Sequence, residues 1–147
     1  MADFLSGFRV SSSGMTAQRM RMNTISSNIA NINTTRTPEG GPYRRKDIVF
    51  ESMPDARNFG EIIGSADPKA NVQRVQVTDI ISDTKAPLMK YEPDHPDSNE
   101  DGYVAYPNIN LMEEMTNMIQ ATRAYEANVS SLQSAKDMAL SSLEIGR

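Results

Sequence analysis

The chain has 147 residues, a net charge of −4, ten methionines, a single histidine, and neither cysteine nor tryptophan. So mild a negative balance argues against a general nucleic-acid binder, which needs a broad basic face. Without cysteine there is no disulfide framework, thiolate nucleophile or thiolate metal site, and no stretch approaches the ~20 apolar residues that span a bilayer.

The first segment, Asp3 to Ile32, reads as a helix within an N-terminal arm of residues 1–36. Phe8, Met15, Met22 and Ile29 fall seven apart, with Phe4, Ile25 and Ile32 on interleaved positions. A seven-residue apolar repeat marks a narrow stripe that packs against other helices. Gly7, Gly14 and the Ser11-Ser12-Ser13 cluster weaken this helix locally. Pro38-Glu39-Gly40-Gly41-Pro42 ends it. No cleavable targeting peptide is legible, because Asp3 precedes the first cation, Arg9, and no long apolar run follows. That pattern suits a cytosolic protein, or export by a route that keeps its signal.

Residues 37–107 have a different texture, rich in Pro and Gly. Tyr43 to Glu51, Val72 to Ile80, Leu88 to Tyr91 and Tyr103 to Tyr106 are short strand candidates, each bounded by turn-forming residues. They predict a small β-rich middle domain, with a loop over Asn58 to Lys69.

The C-terminal arm, residues 108–147, is the longest uninterrupted helical run. Asn110 followed by Glu113 fits a capped start, and Glu113 and Glu114 suit the positive end of the helix dipole. The seam returns as Leu111, Met118, Tyr125, Leu132 and Ala139, interleaved with Met115, Val129 and Leu143. The fold expected is α+β: long N- and C-terminal helices forming a coiled-coil layer around a small β-rich middle. Both seams are expected to meet other subunits. Ser11, Gln18, Thr122 and Lys136 interrupt them, and such residues weaken a pair while selecting register. The arms are therefore expected to be loosely ordered alone and fixed among neighbours. The alternative is a closed bundle in which the seams face the chain's own core.

Few motifs carry chemistry. Asp97-Ser98-Asn99-Glu100-Asp101-Gly102 matches the first half of an EF-hand loop, but the twelfth position is Asn108 rather than Glu. Pro93 and Pro96 also bar an entering helix, so a solvated acidic turn is expected in place of a calcium site. His95 lacks a second His or Cys for a transition metal. Arg44-Arg45-Lys46 lacks the aromatic interleaving of a nucleic-acid surface and reads as a solvated strand face. Asn33-Thr34-Thr35 and Asn128-Val129-Ser130 match the glycosylation pattern but lie on or beside predicted helices. There is no phosphate loop and no dinucleotide fingerprint. The chain is expected to be no enzyme and to use no cofactor.

The run Ser12-Ser13-Gly14-Met15-Thr16-Ala17-Gln18, continuing to Ser26-Ser27-Asn28-Ile29-Ala30-Asn31-Ile32-Asn33-Thr34-Thr35, resembles the signature of flagellar axial proteins. This is the family of the bacterial flagellar rod and hook. Asn110-Leu111-Met112-Glu113-Glu114-Met115, through Arg123-Ala124-Tyr125-Glu126-Ala127-Asn128-Val129, resembles that family's terminal helix. Tyr91-Glu92-Pro93-Asp94-His95-Pro96-Asp97, with Gly102-Tyr103-Val104-Ala105-Tyr106-Pro107-Asn108-Ile109-Asn110, is similar to the family's short proximal-rod members. The resemblance implies a structural subunit, exported unfolded through the flagellar export apparatus and polymerised into a rod across the periplasm. Terminal helices would form the inner layer, with the β-rich domain outside. The implied partners are its own copies, other rod proteins, the export apparatus and the basal-body base. Thr35-Arg36-Thr37-Pro38-Glu39-Gly40-Gly41 departs from the family pattern, which places a Gly closer to the Asn-Thr motif. The exit from the first helix is therefore expected to differ locally. The competing class is a cytosolic coiled-coil adaptor, and a third is a calcium-responsive binding protein.

Overall fold

A computed structural model describes residues 2–54 and 73–145, and the side chains of 7–53 and 73–144. The loop expected over Asn58 to Lys69 and the side chain of Phe4 lie outside the described residues. In chain order the elements are α1 (Ala2–Ala30), β1 (Lys46–Pro54), β2 (Gln73–Ser82), β3 (Leu88–Tyr91), β4 (Tyr103–Tyr106) and α2 (Leu111–Ile145). This is the α+β arrangement the sequence implied, with long helices at both ends.

α2 starts where its cap predicts. The Asn110 side chain accepts the Met112 N–H at 3.0 Å and, more weakly, the Glu113 N–H at 3.5 Å, satisfying donors that have no partner inside the helix. Among the described residues the reciprocal bond from Glu113 back to Asn110 does not form, so this is a cap without the full box. α1 leaves its last turn through bonds from the Asn31 N–H to Ser27 and from the Thr34 N–H to Asn31. The chain then doubles back so that the Tyr43 N–H donates to the Thr34 carbonyl at 3.0 Å.

The strands form two separate antiparallel ribbons, β1–β2 and β3–β4. β1–β2 pairs Ile48 with Ile80 and Val49 with Asp79, then slips so that Phe50 faces Val77. Thr78 is the extra residue of this bulge, and its hydroxyl bonds the Val49 carbonyl at 3.3 Å. Ile48, Phe50, Val77 and Ile80 thereby share one face of the ribbon. Both strands pack against α1.

α1 and α2 pack against each other in the isolated chain. Asn28 meets Glu114, Met22 meets Thr122 and Gly14 meets Asn128, so the helices run antiparallel. The arms therefore pair within one subunit. The pairing is nevertheless thin. Among the described residues the buried apolar side chains are Ala17, Ile25 and Ala121 on the helices, Ile48 on β1, Val104 on β4, and Pro107 and Ile109 before α2.

At Gly14 an added Cβ would stand 3.0 Å from the Asn128 amide nitrogen, so glycine sets how closely the helices approach. Gly102 has φ +79°, and a Cβ there would lie 2.9 Å from the Tyr91 ring. Only glycine both takes that backbone shape and leaves room for the tyrosine.

Candidate assembly interface

The heptad on α2 resolves into two stripes. Met118, Tyr125, Leu132 and Ala139 do share a face, but the residues interleaved with them are Glu114, Ala121, Asn128 and Ala135. All eight are buried or half-buried, and this face meets α1. Met115, Val129 and Leu143, expected on the same seam, lie one position further round, a rotation of about 100°. They fall with Met112, Ile119, Thr122, Glu126, Gln133, Lys136 and Leu140 on a second stripe, which is largely exposed but which α1 reaches at Thr122, whose hydroxyl bonds the Met22 sulfur at 3.6 Å. Met112 and Leu143 are 71% exposed, Ile119 54%, Leu140 51% and Met115 48%, whereas Val129 is half-buried. Leu111, expected to begin the seam, is also exposed. On α1, Ile25 is buried, while Phe8, Met15, Met22, Ile29 and Ile32 are half-buried.

Beneath these stripes lies a polar tie that hydropathy does not reveal. Asn28 is fully buried and makes four hydrogen bonds, the full capacity of a carboxamide. Its NH2 donates to the Lys46 carbonyl at 2.8 Å and to the Glu114 carboxylate at 3.1 Å. Its oxygen accepts the Lys46 N–H at 2.9 Å and the Tyr43 hydroxyl at 3.1 Å. Glu114 is only 1% exposed, and its other oxygen accepts from Arg45 Nε at 2.8 Å. Arg45 also holds Asp47 at 3.0 Å. Burial acts against the Arg45 charge, but the bonds and charges of Asp47 and Glu114 outweigh it and raise its pKa. The Tyr43 hydroxyl is raised as well, first by burial and then by the Glu114 charge. One buried carboxylate thus joins α2, α1 and the entry to β1. Glu114 was read as a dipole residue and Arg45 as a solvated cation. Their burial depends on contacts between residues 69 apart, which no local pattern encodes.

The β3–β4 hairpin has one anchored and one open face. Val104 is fully buried, and on the same face the Tyr106 hydroxyl donates to Glu92 at 2.8 Å. Lys90 also pairs with Glu92. Bonds from Lys90 and then Tyr106 hold the Glu92 carboxyl below its ordinary pKa. The opposite face carries Met89, Tyr91 and Tyr103, which are 55%, 63% and 43% exposed.

The acidic turn uses its side chains internally. The Asn99 side chain accepts the Asp101 and Tyr103 N–H groups, His95 Nδ1 accepts the Asp97 N–H, and Asp97 accepts the Thr35 hydroxyl at 2.8 Å. Among the described residues no three or more His, Asp or Glu side chains are grouped to hold a metal. No described helix is long and apolar enough to cross a membrane.

Two family models match the chain. One, described as flagella basal body rod protein, covers residues 8–36. The other, flagellar basal body rod FlgEFG protein C-terminal, covers residues 100–145. Among curated proteins, the flagellar basal-body rod protein FlgC of Borreliella burgdorferi is 48% identical over 95% of this chain and 95% of its own length. The FlgC of Bacillus subtilis is 39% identical over 94% of this chain and 95% of its own length. That of Escherichia coli O157:H7 is 36% identical, with 95% and 96% covered.

Proposed function

Because this chain belongs to the FlgC family of flagellar basal-body rod proteins, we propose that its second α2 stripe is the surface through which it assembles with neighbouring rod subunits. The protein is a structural component of the bacterial flagellar basal-body rod. The observation that carries the interface reading is the exposure of Met112, Met115, Ile119, Leu140 and Leu143 along two interleaved heptad lines of α2. Exposed side chains of this size and spacing are what one helix offers another, and burying each contributes roughly 1.5–3 kcal/mol at best.

In this reading residues 1–36 and 108–147 are the helical arms and 37–107 the outward domain. The arms form a coiled-coil layer by packing pair against pair between copies and against other rod proteins. Phe4, Phe8, Met15, Met22, Ile29 and Ile32 contribute from α1, and Leu111, Met115, Val129 and Leu143 from α2. Ile25, Met118, Tyr125 and Leu132 support the pair from within. The subunit reaches the rod through the flagellar export apparatus and polymerises on the basal-body base into the periplasmic drive shaft. Its work is mechanical, and no catalytic role or cofactor is assigned to it.

Ile119→Asp tests the interface. Ile119 lies on the solvent side of α2, so the variant should keep wild-type circular dichroism and thermal unfolding. It should fail to enter basal bodies and leave cells non-motile. Normal incorporation and swimming would remove the stripe from the interface.

A further inference from the structure

The β3–β4 hairpin concentrates the charge of the whole molecule. Between Leu88 and Tyr106 stand five carboxylates and one lysine, a net of −4, the same as that of the entire chain. Between Phe4 and Arg36 stand four arginines and no carboxylate. One subunit thus carries a negative hairpin and a positive arm.

The hairpin's open face is prepared for contact. Tyr91 and Tyr103 stand edge to face with ring centroids 5.3 Å apart. Gly102 makes room for the Tyr91 ring, and buried Val104 fixes the strand behind it. Aromatic side chains held rigidly in solvent lose little entropy on binding and are frequent interface anchors. Glu100 and Asp101 lie exposed in the adjoining turn. On α1, Arg19 is exposed beside Met20, which is 37% exposed, and no carboxylate lies on that helix from Phe4 onward. A guanidinium over a tyrosine ring and a thioether at its edge are both favourable contacts.

We propose that the Tyr91–Tyr103 face of one subunit docks on the Arg19–Met20 face of α1 in a second copy, with Glu100 and Asp101 steering the arginine. The proposal rests on the rod reading above and adds to the α2 stripe a second, charge-guided contact. The two faces differ, so the contact is heterologous and propagates from subunit to subunit. Salt screens it, whereas apolar stripe contacts persist.

Sedimentation of the full chain over a wide concentration range at low salt tests this. Arg19→Glu alone, or Glu100→Lys with Asp101→Lys, should each weaken self-association by at least about tenfold. Each variant repels itself but complements the other at both faces, so mixing the two should restore association and growth beyond dimers. All three changes in one chain should restore growth beyond dimers. A wild-type chain that stays monomeric, single variants that associate like wild type, or a mixture that fails to pair would each overturn the proposal. If these variants are silent while Ile119→Asp still blocks incorporation, only the hairpin contact falls and the rod reading stands.

Discussion

Asn28 pairs with Lys46 as a neighbouring strand would, accepting its N–H at 2.9 Å and donating to its carbonyl at 2.8 Å. A side chain on α1 thereby substitutes for the missing strand at the entry to β1. The same amide reaches Glu114, so helix pairing and ribbon placement are set by one residue.

Replacing that residue should be costly. Asn28→Ala leaves the Lys46 peptide and one oxygen of Glu114 without a buried partner and is expected to destabilise by about 2–4 kcal/mol in denaturant unfolding. Asn28→Asp keeps the shape but turns lone pairs toward the Lys46 carbonyl and the Glu114 carboxylate. At neutral pH it should be worse than alanine. An unfolding midpoint like wild type in either variant would show that the tie is dispensable.

Helix spacing is set by the contact between Gly14 and Asn128. A larger side chain must displace the Asn128 amide, so Gly14→Val should cost roughly 1–3 kcal/mol. Alanine is the better helix former by roughly 0.5–1 kcal/mol. Gly14→Ala should therefore stabilise the protein once Asn128→Ala has cleared the site. A double-mutant cycle measures this coupling, and simple additivity of the two changes would refute it.

The hairpin should weaken in acid. Glu92 is held below its ordinary pKa by Lys90 and Tyr106, so its contribution is complete above the unfolded value near 4.5. It is lost as pH falls from there through the lower folded value. Asp83, lowered by its bonds to Lys85, adds a loss of the same sign. The melting temperature of wild type should fall below pH 4.5, and that of Glu92→Gln should fall less steeply because the Glu92 component is gone. Equal slopes would exclude Glu92 as a source.

The start of α2, the extents of β3 and β4, and the apolar character of both arms were legible in the sequence, since caps, turn residues and strand-length apolar runs are local signals. The division of α2 into two stripes was not. Met115, Val129 and Leu143 are apolar, while Glu114, Ala121 and Asn128 are polar or small, so counting hydropathy at heptad spacing favours the exposed line over the packed one. Close helix pairs select small residues, as at Gly14, and these leave no trace in a hydrophobic pattern. Asn28 and Glu114 read as surface residues because their burial is created by partners far along the chain. Tyr91 and Tyr103 were read only as strand formers. Their outward placement follows from which face Val104 buries.

The bond between Asn28 and Glu114 closes over 86 residues. Until Glu114 arrives, the first arm has no means of completing its own anchor, whichever end of the chain is made or delivered first. Contacts so distant in sequence form slowly, because a long loop must close before they contribute anything. The subunit is therefore built to fold late, with its first arm waiting on its last.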